Sequence, residues 1–133
     1  MPVVLDACAL IACLRGEDGS DVVEALLEKE PERCFAHAVN LCEVFYDFLK
    51  VGGEGAATAA VDDLLSQGVV LRDDLDLEFW KQVGRFKASH RISLADAFAL
   101  TLAHLTNSDL ITSDRHEFET VARTVNVPIR FIR

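Results

Sequence analysis

Apolar residues recur along the chain at two spacings, and the alternation between them predicts the elements. Val3-Val4-Leu5, Cys34-Phe35-Ala36, Val69-Val70-Leu71, Leu110-Ile111-Thr112 and the segment Ile129 to Ile132 are short, largely apolar runs that read as buried strands. Helical spacing fills the intervals. Ala7 to Leu14 runs up to a stop at Arg15-Gly16. Val22, Val23, Leu26 and Leu27 follow a Ser20 cap, with Pro31 beyond. Leu41, Val44, Phe45, Phe48 and Leu49 follow an Asn40 cap and end at Gly52-Gly53. Ala57, Ala60, Val61, Leu64 and Leu65 make a further helix closed by Gly68. Phe79, Val83 and Phe86 lie behind Asp74 or Asp76, and a last helix covers about 117–125 before Pro128. Short strands separated by helices need crossover connections. The expected fold is therefore α/β, a mainly parallel sheet of about four to five short strands with helices on both faces.

One stretch breaks the amphipathic pattern. From Ser93 to His104 the chain is apolar on nearly every helical face, and no charge follows Asp96 until Asp109. A helix of that kind is buried. Ser93 is a good N-cap, and Asp96, three residues on, can reach back in a capping box, with Asn107 as a cap at the far end. The element therefore carries one carboxylate at its N-terminal mouth into the middle of the molecule.

At 133 residues the chain is expected to be a single domain, 1–133. Half of it is hydrophobic and about a quarter charged, as in ordinary globular proteins. No run approaches the roughly 20 apolar residues of a membrane span, and Asp6 interrupts the first apolar run, which argues against a signal peptide. Cys8, Cys13, Cys34 and Cys42 lack metal-binding CxxC spacing and sit in apolar segments, where reduced, buried thiols and a cytoplasmic location are expected. The net charge of −9 argues against a simple electrostatic nucleic-acid binder. Its distribution changes that picture. Residues 1–78 hold 17 acids and 5 bases, whereas residues 79–133 hold 5 acids and 8 bases. Lys81, Arg85, Lys87 and Arg91 occur with no acid between Phe79 and Ala95. Such a strip is a solvated helix face or a receiver of phosphates. Arg85 and Arg91 are the expected contacts to a phosphate backbone, Arg91 because it lies in the turn leading to Ser93.

Ligands of open parallel sheets bind beyond the carboxyl ends of the strands. Asp6 stands at that end of the first strand, Asp114 just past the fourth, Asp96 at the mouth of the buried helix, and Glu43 three residues after Asn40. Each also has an ordinary role, as an N-cap or as a capping-box partner. If the four converge, their mutual repulsion raises carboxyl pKa values and calls for a cation. Carboxylate oxygens without a local His or Cys set suit Mg²⁺ or Mn²⁺. His37, His90, His104 and His116 are scattered and read as non-ligands.

Four segments in order and spacing resemble the motifs of PIN-domain ribonucleases: Val4-Leu5-Asp6-Ala7-Cys8-Ala9-Leu10, Asn40-Leu41-Cys42-Glu43-Val44, Leu94-Ala95-Asp96-Ala97 and Ile111-Thr112-Ser113-Asp114-Arg115. The short form is similar to the VapC toxins of toxin–antitoxin pairs. The resemblance implies that Asp6, Glu43, Asp96 and Asp114 form a catalytic, metal-binding quartet for Mg²⁺ or Mn²⁺. Thr112 and Glu117 are auxiliary candidates. It also implies cleavage of RNA phosphodiesters, an antitoxin partner, a homodimer and no membrane association. Cys8 stands where the family often has a serine or threonine, and the segment after Asp114 is longer by one than in many members. Apolar helices, with Phe45, Phe48 and Trp80 as anchors, would dock a partner helix.

Three alternatives belong to other classes. An Asp-nucleophile phosphatase would use Asp6 but resembles Asp-x-Asp, and the third position here is Cys8. A receiver-type domain needs an acidic pair near the first strand, where only Asp6 is present. A non-catalytic RNA- or protein-binding module of the same fold has no need of all four acids.

Overall fold

In a computed structural model covering residues 1–133, the five apolar runs become β1 (Val3–Leu5), β2 (Cys34–His37), β3 (Val70–Arg72), β4 (Asp109–Thr112) and β5 (Ile129–Phe131). They form one sheet in the order β3-β2-β1-β4-β5, and every neighbouring pair is parallel. Val3 lies opposite Cys34 on one side and Asp109 on the other. The chain builds outward from β1 to β3, then returns to the other side of β1 for β4. The β1/β4 junction is thus the switch point at which open α/β sheets bind ligands.

Six helices make the crossovers: α1 (Ala7–Arg15), α2 (Ser20–Lys29), α3 (Ala38–Ser66), α4 (Leu77–Ser89), α5 (Leu94–Leu105) and α6 (Arg115–Val121). The two-residue period of the strands divides the core. Val3, Leu5, Ala36 and Ile111 pack with Leu10, Val23, Leu41 and Leu64 of α1, α2 and α3. Val4 and Leu110 face the other way, onto Phe79, Leu100 and Phe118 of α4, α5 and α6. The α5 helix is buried from Asp96 through Ala103, apart from the half-buried Phe98, as its all-round apolar surface requires. At seven residues, α6 is too short to persist alone. Burial of Phe118 and Val121 holds it in place.

Several helix ends differ from the sequence pattern. The third helix is capped by His37, whose Nδ1 accepts from Val39 N–H at 3.0 Å, and not by Asn40. Gly53 (φ 84°, ψ −179°) breaks α3 without ending it, so the two expected helices meet at a kink instead of a loop. Gly19, and not Ser20, precedes α2 with a left-handed φ of 90°. A side chain there would collide with the Ile132 carbonyl at 2.5 Å, so the close approach of α2 to the C-terminal segment needs glycine. Asp76 caps α4, while Asp74 pairs with Arg72 at 2.8 Å. The last helix stops at Val121 instead of reaching Val125. Of the four free cysteines, Cys42 is exposed and Cys8 only half-buried. No helix is long and apolar enough to cross a membrane.

Candidate metal centre

Caps build the site. Asp6 closes β1 and starts α1: its Oδ1 accepts Ala9 N–H at 2.8 Å. Asp114 repeats the device between β4 and α6, with Oδ1 accepting Glu117 N–H at 3.0 Å. The Asp114 N–H in turn donates to the Thr112 hydroxyl at 3.0 Å, which fixes the turn. Ser93 Oγ caps α5 by accepting Asp96 N–H at 3.1 Å. The Asp96 carboxylate makes no return bond to the Ser93 backbone, so the expected capping box is only half formed.

Parallel register brings these ends together. Asp96, Asp114 and Glu117 each offer an oxygen within 4.8 Å of the others. Asp6 lies outside this trio, yet the charges of Asp96 and Asp114 both act on it. Glu43 acts on Asp96 in the same way, so the quartet read from the sequence shares one region, joined by Glu117. Asn40, fully buried in α3, is the residue whose role the sequence misassigned. It donates to Glu43 Oε2 at 3.3 Å and to the Ala95 carbonyl at 3.2 Å, so it joins α3 to the mouth of α5 and holds Glu43 there.

The electrostatics are those of buried carboxylates close to one another. Burial, reinforced by Asp96 and Asp114, pushes the Asp6 carboxyl up to about 7. Asp6 Oδ2 has no hydrogen-bond partner; the Thr112 hydroxyl is near enough to temper the rise but makes no bond of ordinary geometry. Asp96 is raised to about 6 by burial and by Glu117, Glu43 and Asp114, moderated by Ser93. Glu43 is raised by burial and eased by Asn40. The Cys8 thiol, 4.0 Å from Asp114 Oδ2, is pushed up to about 12 by burial and by Asp6, Asp114, Asp96 and Glu43. A buried carboxylate oxygen left unpaired is a costly feature, and one that a hard cation relieves. The donor set fits such an ion: all oxygens, with no imidazole among them. His37 is fully engaged, Nδ1 by Val39 and Nε2 donating to the Asp74 carbonyl at 2.9 Å, with its ring stacked on Phe79.

A groove opens beside the acids. Ser89, His90 and Arg91 line it from the α4–α5 turn, and His116, Glu117, Thr120 and Val121 from α6, enclosing about 500 Å³. Arg91 thus lines the same groove as Glu117. Arg85 stands one helical turn before Ser89 on α4, exposed, its guanidinium donating to Gln82 Oε1. Phe48 is no free anchor, since it packs on the core beneath Arg15, whereas Trp80 is half exposed. The phosphatase reading lacks its second acid, since Cys8 and not an aspartate follows Asp6 at the second position. A receiver-type site fails as well, because Asp74 is paired to Arg72 beside the edge strand β3.

The chain belongs to the PIN domain family, whose signature matches residues 3–124. Its fold is similar to solved structures of low sequence identity. A chain of DNA-bound VapBC from Salmonella typhimurium matches with a TM-score of 0.77 at 16% identity, covering 100% of this chain and 99% of that one. A chain of VapBC2 from Rickettsia felis, bound to a promoter DNA fragment, gives 0.75 at 17%, covering 98% of each. Mycobacterium tuberculosis VapC20, described as a Sarcin-Ricin loop cleaving toxin, gives 0.71 at 17%, covering 94% of this chain and 98% of that one. Among curated proteins, none matches in sequence.

Proposed function

We propose that this PIN protein, one domain over residues 1–133, is a metal-dependent endoribonuclease and the toxin half of a toxin–antitoxin pair. The observation that carries the reading is the convergence of Asp96, Asp114 and Glu117 beside Asp6, whose Oδ2 is buried and unpaired. These acids would hold a divalent ion, Mg²⁺ or Mn²⁺, which when bound would supply Lewis-acid chemistry for hydrolysis of a phosphodiester. Asp6, Asp96 and Asp114 are the direct ligands in this reading, with Glu117 completing the tight group. Glu43, positioned by Asn40, acts through water or at a second ion. Thr112 fixes the backbone that presents Asp114. Arg85 and Arg91 guide the RNA backbone toward the acids, and without them an acidic chain would repel it.

The toxin assignment is supported by the fold shared with chains of VapBC complexes and with VapC20. The antitoxin and a second copy of the chain are the proposed partners. Exposed Tyr46, Leu49 and Val51 on α3 and Trp80 on α4 offer apolar surface for such contacts. The test is an RNA-cleavage assay on purified protein with Mg²⁺ or Mn²⁺ titrated in, an EDTA control, and single-stranded DNA as counter-substrate. Cleavage of RNA that appears with metal and is lost with EDTA and in Asp96→Asn is expected. RNA left intact at saturating metal would overturn the reading.

A further inference from the structure

The groove between the α4–α5 turn and α6 is the largest cavity in the molecule, and its volume of about 500 Å³ is in the range of pockets that take one small ligand. Val121 is its one hydrophobic lining residue, and the other six carry polar side chains. Glu117 belongs both to this groove and to the acid trio, so whatever fills the groove lies next to the metal centre. The side chains of Ser89, His90, Arg91, His116 and Thr120 make no intramolecular hydrogen bond or ion pair. Elsewhere in the chain Arg15, Arg33, Arg72, Arg130 and Arg133 each pair with a carboxylate. Arg91, like Arg85, Arg115 and Arg123, pairs with none, although Glu117 lines the same groove. The His90 ring lies 6.4 Å from that of Phe86 between centroids.

A free guanidinium, two imidazoles and two hydroxyls around a nucleotide-sized groove match a single-stranded nucleotide better than a paired one. An unpaired base can turn out and stack on a flat ring, whereas a base inside an A-form helix cannot. We propose that this groove is a nucleotide subsite for the residue adjoining the scissile phosphodiester. Arg91 takes the flanking phosphate, the His90 and His116 rings take the base, and Ser89 and Thr120 hydrogen-bond its edge or sugar. These are positioning residues: they set where the RNA lies, and the acids act on it. The inference rests on the nuclease reading and adds where the neighbouring nucleotide is bound. Beyond the groove, Lys81 and Arg85 precede Ser89 at four-residue steps on α4, so the backbone leaves along a basic face.

The experiment uses the full chain, short RNA oligonucleotides carrying a cleavable site, and copies with an abasic residue on either side of it. kcat and KM are measured with Mn²⁺, and equilibrium binding with Ca²⁺ in its place. For Arg91→Gln and for His90→Ala/His116→Ala, KM and Kd should rise about tenfold with kcat within about twofold. An abasic residue at one of the two flanking positions should weaken wild-type binding by a similar factor and the histidine double variant little further. Thr120→Trp, which fills the groove from α6, should behave like Arg91→Gln, and unchanged melting temperatures establish that the exposed variants fold. Wild-type cleavage with unaltered KM and Kd in every variant, or indifference to both abasic positions, overturns the subsite. No wild-type cleavage with any metal overturns the nuclease reading instead, and the binding measurements then still decide the groove.

Discussion

Asp6 has two oxygens in unlike surroundings, one bonded to Ala9 N–H and one buried without a partner. The consequence is a pH dependence of fixed sign. Its carboxyl moves from 3.8 to about 7 on folding, and that of Asp96 from 3.8 to about 6. Between those values the native state holds protons that the unfolded chain has released, so stability falls as pH rises. Metal-free protein should therefore melt at a lower temperature at pH 8 than at pH 5. Saturating Mg²⁺ or Mn²⁺ should recover much of the loss at pH 8, because a bound ion adds stability by mass action. A flat or rising melting temperature between those pH values in EDTA would contradict the burial of these two acids as the cause of their raised pKa values. Asp96→Asn should raise the pH 8 melting temperature in EDTA, since the cap bond uses the Asp96 N–H and not its carboxylate. The same change should abolish metal-dependent cleavage. A variant that cleaves at the wild-type rate would reduce Asp96 to a helix-end residue.

At the scale of elements, the centre depends on a tie between α3 and α5. Asn40→Ala removes the donors to Glu43 and to the Ala95 carbonyl, which should cost about 1–3 kcal/mol in denaturant unfolding and weaken metal binding by loosening Glu43. Unfolding midpoints and metal affinity equal to wild type would show the tie to be idle. This tie also marks where sequence pattern stops informing. The strands, the buried α5 and the caps at Asp6, Asp114 and Ser93 were legible because each follows from residues a few positions apart. Asn40 looked like a cap for the same local reason. Its real partner, the Ala95 carbonyl, is 55 positions away, and the cap role fell to His37, whose ring is placed by Phe79 and Phe98 from α4 and α5. Glu117 was only an auxiliary candidate because the turn after Asp114 decides which α6 side chain meets Asp96. The acid quartet itself was read from family motifs; strand ends alone gave four candidates without convergence. The groove had no local signal, since its walls come from segments about 25 residues apart, and only Arg91 and Glu117 among its residues were functional candidates.

Across the whole molecule, the net charge of −9 conceals a division: α4 and its following turn carry Lys81, Arg85, Lys87 and Arg91, and Arg91 lines the groove that Glu117 shares. Lys81→Glu/Arg85→Glu should weaken RNA association and flatten its salt dependence. On a single strand the log–log slope should fall by about 0.7 for each phosphate that is no longer neutralised. Metal affinity should be unchanged, since neither residue is near a ligand in sequence or cap. An unaltered salt slope would place the RNA path elsewhere. The central claim, that these acids are a divalent-cation site, is tested most directly by calorimetric titration of Mn²⁺ into metal-free protein at pH 6.5, repeated in buffers of different ionisation enthalpy. Metal binding needs deprotonated ligands. With Asp6 at about 7 and Asp96 at about 6, saturable binding should release about one proton per chain, and Asp96→Asn should lose most of both the binding and the release. Absence of saturable binding, or binding with no proton released and no dependence on Asp96, would contradict the account.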